Sequence, residues 1–260
     1  MRKSLIAQSV AATIAGLATA GAAFAAVVAP DPNSVGVYPD VNLVPPAQVL
    51  VVNPDGIGHK AIVPYYTVQN GNDTYINIVN TDVRNGKALK VRFRGASNSD
   101  DVFDFTLLMS PGDVWAAAIT KGANGLPTLV TQDKSCTLPN NINGQQFVTV
   151  RLNPALTDAQ KANEASEGYV EIFNMADIPP TVYNPDNLDL YNSIKHVSGE
   201  PRDCASSAVN DLFTDPTTYG DARELGLDVP TTGLAVNWTV INVPTAASWT
   251  GAAVALQAQV

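Results

Sequence analysis

From Ile62 onward, apolar and polar side chains alternate with a period of two over short stretches, the pattern of strands that bury one face. The clearest stretch is Lys87 to Arg94, where Leu89, Val91 and Phe93 alternate with Lys90, Arg92 and Arg94. After the turn-like run GASNSDD the pattern resumes, with Phe103, Phe105, Leu107 and Met109 on one side and Asp104 and Thr106 on the other, which predicts a hairpin. Setting Phe93 opposite Phe103 places Arg92 opposite Asp104, so a single register satisfies both faces. Ser110-Pro111-Gly112-Asp113 has Pro and Gly at type II turn positions and predicts a third antiparallel strand, Val114 to Thr120. Tyr65 to Gln69 and Thr74 to Asn80, split by Asn70-Gly71-Asn72-Asp73, predict another hairpin. Further strands are expected at Leu126 to Thr131, Phe147 to Leu152, Tyr169 to Ala176, Ala235 to Val243 and Ser248 to Gln257. Helix is scarce: Thr157-Asp158-Ala159-Gln160 reads as a capping box for a helix to Ser166, and weaker helical stretches lie near Ala205 to Phe213 and Tyr219 to Leu225.

Many short strands at close spacing predict an all-β fold, an immunoglobulin-like antiparallel β-sandwich with long loops and a few short helices. An outer-membrane barrel fits less well, because Lys87 to Arg94 would turn its charges toward lipid and no aromatic girdles are evident. Residues 1–25 read as a secretory signal peptide: Arg2 and Lys3 precede an apolar run from Leu5 to Ala20, and Ala23-Phe24-Ala25 offers a cleavage site before Ala26. Residues 26–61, with Pro30, Pro32, Pro39, Pro45 and Pro46, are expected to form an extended leader that ends in a short strand, Gln48 to Asn53. Residues 62–260 form the sandwich domain, interrupted near 179–232 by a Pro-, Asn- and Asp-rich excursion whose length points to function or disulfide tethering.

Charge narrows the possible partners. Only 15% of the 260 residues are charged, and 15 Lys and Arg against 24 Asp and Glu give a net charge of -9. That balance excludes nucleic acid as a partner, since gripping a phosphate backbone requires the opposite sign. Signal removal takes away Arg2 and Lys3 and leaves 13 basic against 24 acidic side chains. No later apolar run is long enough to span a bilayer, so no transmembrane segment is expected in the mature chain. The only two cysteines, Cys136 and Cys204, are expected to pair in an oxidising compartment, because no C-x-x-C spacing or nearby His supports redox or zinc chemistry.

The strings PYYTVQNGNDTYINIVNTD, KALKVRFRGASNSDDVFDFTLLMSPGDVWAAAIT, DKSCTLP, EGYVEIFNMADI and GLAVNWTVINV resemble, in this order, a poorly characterised family of proteobacterial secreted proteins labelled cell-surface proteins. They cover most of residues 62–243. The resemblance implies export and a surface or envelope role, and it carries no catalytic residue. Members of that family run longer, so the chain is expected to be truncated at its C-terminus.

Catalytic motifs are scarce. There is no G-x-S-x-G, H-E-x-x-H, P-loop or G-x-G-x-x-G, and His59 and His196 sit in loops without a neighbouring nucleophile motif, as surface histidines would. Asp100, Asp101 and Asp104, or Asp186, Asn187 and Asp189, could offer oxygen ligands to calcium, but as turn acids they read first as solvated. Tyr65, Tyr66, Tyr75, Trp115, Trp238 and Trp249 could form a sugar-stacking face, although their spacing suits a sandwich core better. No catalytic set, metal site or cofactor is therefore nominated. The leading expectation is a secreted, non-catalytic cell-surface or envelope structural protein whose partners are other copies of itself or envelope components. It would assemble through sheet edges, with the leader donated as a strand to a neighbour and Ser248 to Gln257 left as an open edge. The alternatives are a secreted module binding carbohydrate or another surface ligand, and third a hydrolase, which would need two close carboxylates or a Ser-His pair.

Overall fold

A computed structural model describes residues 47–180, 189–213 and 219–259; the expected signal peptide and most of the leader lie outside these residues. Two antiparallel sheets pack face to face. The first has seven strands in the order β1 (Val49–Val52), β14 (Val254–Gln259), β2 (Lys60–Thr67), β9 (Glu167–Ile178), β4 (Gly86–Gly95), β5 (Asp101–Met109) and β8 (Cys136–Leu138). The second has five, in the order β13 (Ala247–Ala252), β12 (Leu234–Asn242), β3 (Asn72–Asn80), β6 (Val114–Lys121) and β7 (Pro127–Val130). The molecule is thus an all-β sandwich.

Alternation explains the central strands. In β4 and β5, Phe93 pairs with Phe103 and Arg92 with Asp104, as the expected register requires. A bulge at Val102 then restores Arg94 to a partner, Asp101, on the charged side. Leu89, Val91, Phe93, Phe105, Leu107 and Met109 are buried in the core, joined by Val63, Tyr66, Ile76, Ile78, Trp115, Val170 and Ile172 from both sheets. The helix α1 (Asp158–Ala165) carries the expected capping box, with the Thr157 hydroxyl accepting from Gln160 N–H and the Gln160 side chain accepting from Thr157 N–H.

Two connections differ from expectation. β2 and β3 form no hairpin: they belong to opposite sheets, and at the corner Thr67 N–H donates to Thr74 Oγ1 while that hydroxyl donates to Thr67 O, both at 2.9 Å. The turn at Ser110 to Asp113 also changes sheets, so β6 pairs with β3 and β7 and not with β5. Gly112 supplies the left-handed φ of 69° that the turn needs. Period two reports that one face is buried, and it does not report which sheet buries it.

Phe147 to Leu152 is not a strand. It is a loop that inserts Phe147 among Tyr66, Phe93 and Phe103, with ring centroids 5.8, 4.9 and 5.1 Å away. The end of the chain is likewise split: β13 pairs with β12 in one sheet, and β14 lies between β1 and β2 in the other, so the expected open edge at Ser248 to Gln257 is filled over its second half. The strand expected at Gln48 to Asn53 is present as β1, paired within its own chain to β14.

Part of the excursion near 179–232 falls within the described residues. It contains α2 (Asp189–Ile194), the short pair β10 (His196–Val197) and β11 (Glu200–Pro201), α3 (Ser207–Asn210) and α4 (Tyr219–Glu224). Leu190, Ile194 and Val209 cover Ala88, Leu108, Cys136, Leu138 and Ile178 on the outer side of the seven-stranded sheet, forming a second small core.

Replacing Phe147 by Ala should cost about 3 to 5 kcal/mol in denaturant unfolding, because its ring is buried against Tyr66, Phe93 and Phe103 and its removal leaves a cavity in the core. Val150→Ala, three residues on and 84% exposed, should stay within about 0.5 kcal/mol. Equal losses would restore the strand reading of this segment.

Candidate functional site

The two outer faces of the sandwich differ in charge. On the seven-stranded sheet, Lys60 and Arg94 both bind Glu171 (3.0 and 3.1 Å), Lys90 pairs with Asp104, and Arg151 reaches Asp101 at 2.9 Å. Burial would push the Glu171 carboxyl up, but its hydrogen bonds and charges from Lys60 and Arg94 outweigh that and hold it below the usual carboxylate range. On the five-stranded sheet, the outward positions are Asp73, Tyr75, Asn77 and Val79 on β3, Val114, Ala116, Ala118 and Thr120 on β6, Ala235, Asn237, Thr239 and Ile241 on β12, and Ser248, Thr250 and Ala252 on β13. Only Asp73 among them is charged.

The uncharged surface extends round one side. Residues 229–260 contain no Asp, Glu, Lys or Arg, and neither do residues 41–54. These stretches supply β12, β13, β14 and β1. Ala253, between β13 and β14, donates its N–H to Val236 O, so the two sheets meet along this side and their edge strands β1 and β13 flank it. Val49, Leu50, Val52 and Trp249 are exposed there. Edge strands are normally protected by charge, proline or a bulge, and β1 (VLVV) and β13 (ASWTGA) have no charge or proline in their sequences. Sequence reading missed this surface, although the charge-free run at the end of the chain was its visible signal.

The expected site residues fall elsewhere. Cys136 and Cys204 are bonded, with Cα atoms 5.1 Å apart across 68 residues, and they tie the excursion to β8. His59, expected at the surface, is buried instead, its Nδ1 accepting from Ala258 N–H at 3.2 Å. Asp101 and Asp104 are engaged by Arg92, Arg151 and Lys90; Asp186 and Asn187 lie outside the described residues. Tyr66 and Trp115 are buried as core residues, and Trp238 packs against the core. Tyr65, Tyr75 and Trp249 are exposed, against the core expectation. They do not share a face: Tyr65 is on the other sheet, and the register sets Trp249 opposite buried Val240 while Tyr75 lies opposite outward Thr239.

A Ser-His-Asp grouping does occur. Ser110 Oγ lies 2.9 Å from His196 Nδ1, and Asp113 Oδ2 is 3.6 Å from that same nitrogen. A hydrolytic triad uses opposite ring nitrogens for its serine and carboxylate, whereas here one nitrogen faces both. Asp113 also accepts from Ser110 N–H and Ser135 Oγ, so the group latches the sheet-changing turn to β10 and to the segment before Cys136.

One charged centre is interior. Lys87 shares the inward face of β4 with Leu89, and a bulge at Met175 in β9 turns Asp177 inward as its direct partner. Lys87 Nζ donates to Asp177 Oδ1 (2.7 Å), Asp82 Oδ2 (3.3 Å), Thr231 Oγ1 (2.8 Å) and Thr232 O (3.1 Å). Asn174 Nδ2 and Thr231 N–H donate to Asp177 Oδ1, and Thr231 Oγ1 donates to Oδ2. Burial pushes the Asp177 carboxyl up despite Lys87.

Two consequences are measurable. Changing Cys204 to Ser should remove about 4 kcal/mol of chain-entropy stabilisation and expose residues 189–213 to limited proteolysis, whereas unchanged protection would mean the small core alone holds them. A depressed carboxylate adds stability above its unfolded pKa, and that stability is lost as pH falls through the lower folded value. The thermal midpoint of the protein should therefore fall as pH drops below about 4, and Glu171→Gln should flatten that fall while lowering the midpoint at neutral pH.

The chain matches no family model, and no curated protein or solved structure matches it either.

Proposed function

We propose that the protein is a secreted, non-catalytic structural component of a bacterial cell surface or envelope, and that it assembles with further copies of itself through the uncharged side of its sandwich. The observation that carries this reading is the segregation of charge. A chain with net charge -9 repels its own copies, yet the outer face of the five-stranded sheet bears one charged residue and the neighbouring edges bear none. Contact there brings few like charges together and buries apolar atoms of Val114, Val130 and Tyr75 on the face, with Trp249 at the adjoining β13 edge. The signal-like residues 1–25, the Cys136 to Cys204 bond and the resemblance to secreted cell-surface proteins support export. No described helix is long and apolar enough to cross a membrane.

This mode of assembly differs from strand donation by the leader. β1 fills its own chain's sheet, so among the described residues the surfaces left for a neighbour are its outer edge, the outer edge of β13 and the face between β13 and β7. Exposed Trp249 favours a second reading, a binding module for a carbohydrate or another surface ligand, with this one ring as the contact.

Sedimentation of the purified chain across concentration and salt tests the proposal. Association should strengthen with salt, because screening removes the net repulsion and leaves apolar contact intact. Thr239→Lys with Ala118→Glu, both on the outer face, should shift the protein to monomer without loss of folding. A monomer at every concentration and salt would overturn assembly, and glycan binding abolished by Trp249→Ala would establish the second reading in its place.

A further inference from the structure

The interior centre around Lys87 contains the parts of a condensation reaction. A buried ion pair costs the desolvation of two charges, and this one sits beside two buried polar atoms without partners, Asn174 Oδ1 and Thr232 Oγ1. As a structural bridge alone it is an expensive arrangement. As a reacting pair it is well placed: the amine nitrogen of Lys87 is held 2.7 Å from a carboxylate oxygen of Asp177 on the adjacent strand, and both side chains are buried. We propose that Lys87 and Asp177 condense to an intramolecular amide, an isopeptide cross-link between β4 and β9 that the folded protein forms by itself.

Each step has a group in place. Thr231 Oγ1 lies 2.8 Å from Lys87 Nζ and 2.5 Å from Asp177 Oδ2, so one proton passes from the ammonium through this hydroxyl to Oδ2 and leaves a neutral amine beside a neutral acid. The upward shift of Asp177 by burial favours that neutral pair. The amine lone pair then attacks Asp177 Cγ and the C–N bond forms. Charge that develops on Oδ1 is met by Asn174 Nδ2 at 2.9 Å and Thr231 N–H at 3.2 Å, the donors of an oxyanion site. Asp82, 3.3 Å from Nζ and itself held by the N–H groups of Arg84 and Asn85, takes the second proton from the nitrogen. That proton leaves with Oδ2 as the C–O bond breaks. The ammonium and the carboxylate become one amide and one water, with no change of oxidation state. Fixed proximity supplies what would otherwise require an activated acid.

The cross-link is read by mass. The purified full chain, with its disulfide reduced and its N-terminus sequenced, should weigh less than its sequence requires by one water. Peptide mapping should yield a branched peptide that joins the Lys87 and Asp177 segments. Lys87→Met should restore the full mass. Asp82→Asn, folded by circular dichroism, should form the bond at least tenfold more slowly, and formation at an unchanged rate would overturn the role of Asp82 as the base. A wild-type chain of full mass overturns the cross-link, and so does a water deficit confined to a linear peptide containing Asp177, which marks a cyclic imide.

Discussion

The pairing of β4 with β9 sets the geometry of everything around it. Its register runs from Gly86 opposite Ile178 to Gly95 opposite Gly168, interrupted once by the bulge at Met175. Below the bulge it places Val91 beside Ile172 and Phe93 beside Val170 in the core, and Arg92 beside Glu171 outside. Beyond the bulge the alternation is reset, so Asp177 joins Lys87 on the inner side. At the far end the strands approach so closely that a Cβ on Gly168 would collide with the carbonyl oxygen of Arg94. One inserted residue thus decides where the sandwich keeps its interior charge.

The sandwich is also sided in its electrostatics. The seven-stranded sheet spends its outer face on ion pairs and on the disulfide-tethered excursion, and the five-stranded sheet offers almost no charge. Screened ion pairs at a surface contribute little stability each, so the charged face is better read as a solvated boundary than as a source of strength. The opposite face has no such boundary of its own.

How much of this was legible in the sequence varies by element. The β4–β5 register, the capping box at Thr157, the strands at β7, β9 and β12 and the pairing of Cys136 with Cys204 all follow from local alternation, local capping chemistry or cysteine count. The two sheet changes were not legible, because a turn with the right residues serves a hairpin or a corner equally well and the choice is made by distant strands. Phe147 was misassigned for a related reason: a buried aromatic in an irregular loop leaves the same local pattern as one in a strand. Lys87 was readable as a lysine on an apolar face, but its partner was hidden by the bulge at Met175, which no periodic pattern announces. The Ser110–His196 contact joins residues 86 apart through the excursion and had no sequence signal.

The order of strands also sets a schedule for folding. β14 is the last described strand, yet it lies between β1 and β2, which come first, and it is the only strand with which β1 pairs among the described residues. A chain that emerges from its N-terminus, whether from a ribosome or through a membrane pore, presents the apolar run Val49–Val52 long before Val254–Gln259 arrives to receive it. Contacts so distant in sequence are slow to close, and a chain of this topology stays open along that side until Val254–Gln259 is delivered. Threading is then compatible with the fold, and the interval before β14 arrives is when a holding chaperone has the most to shield.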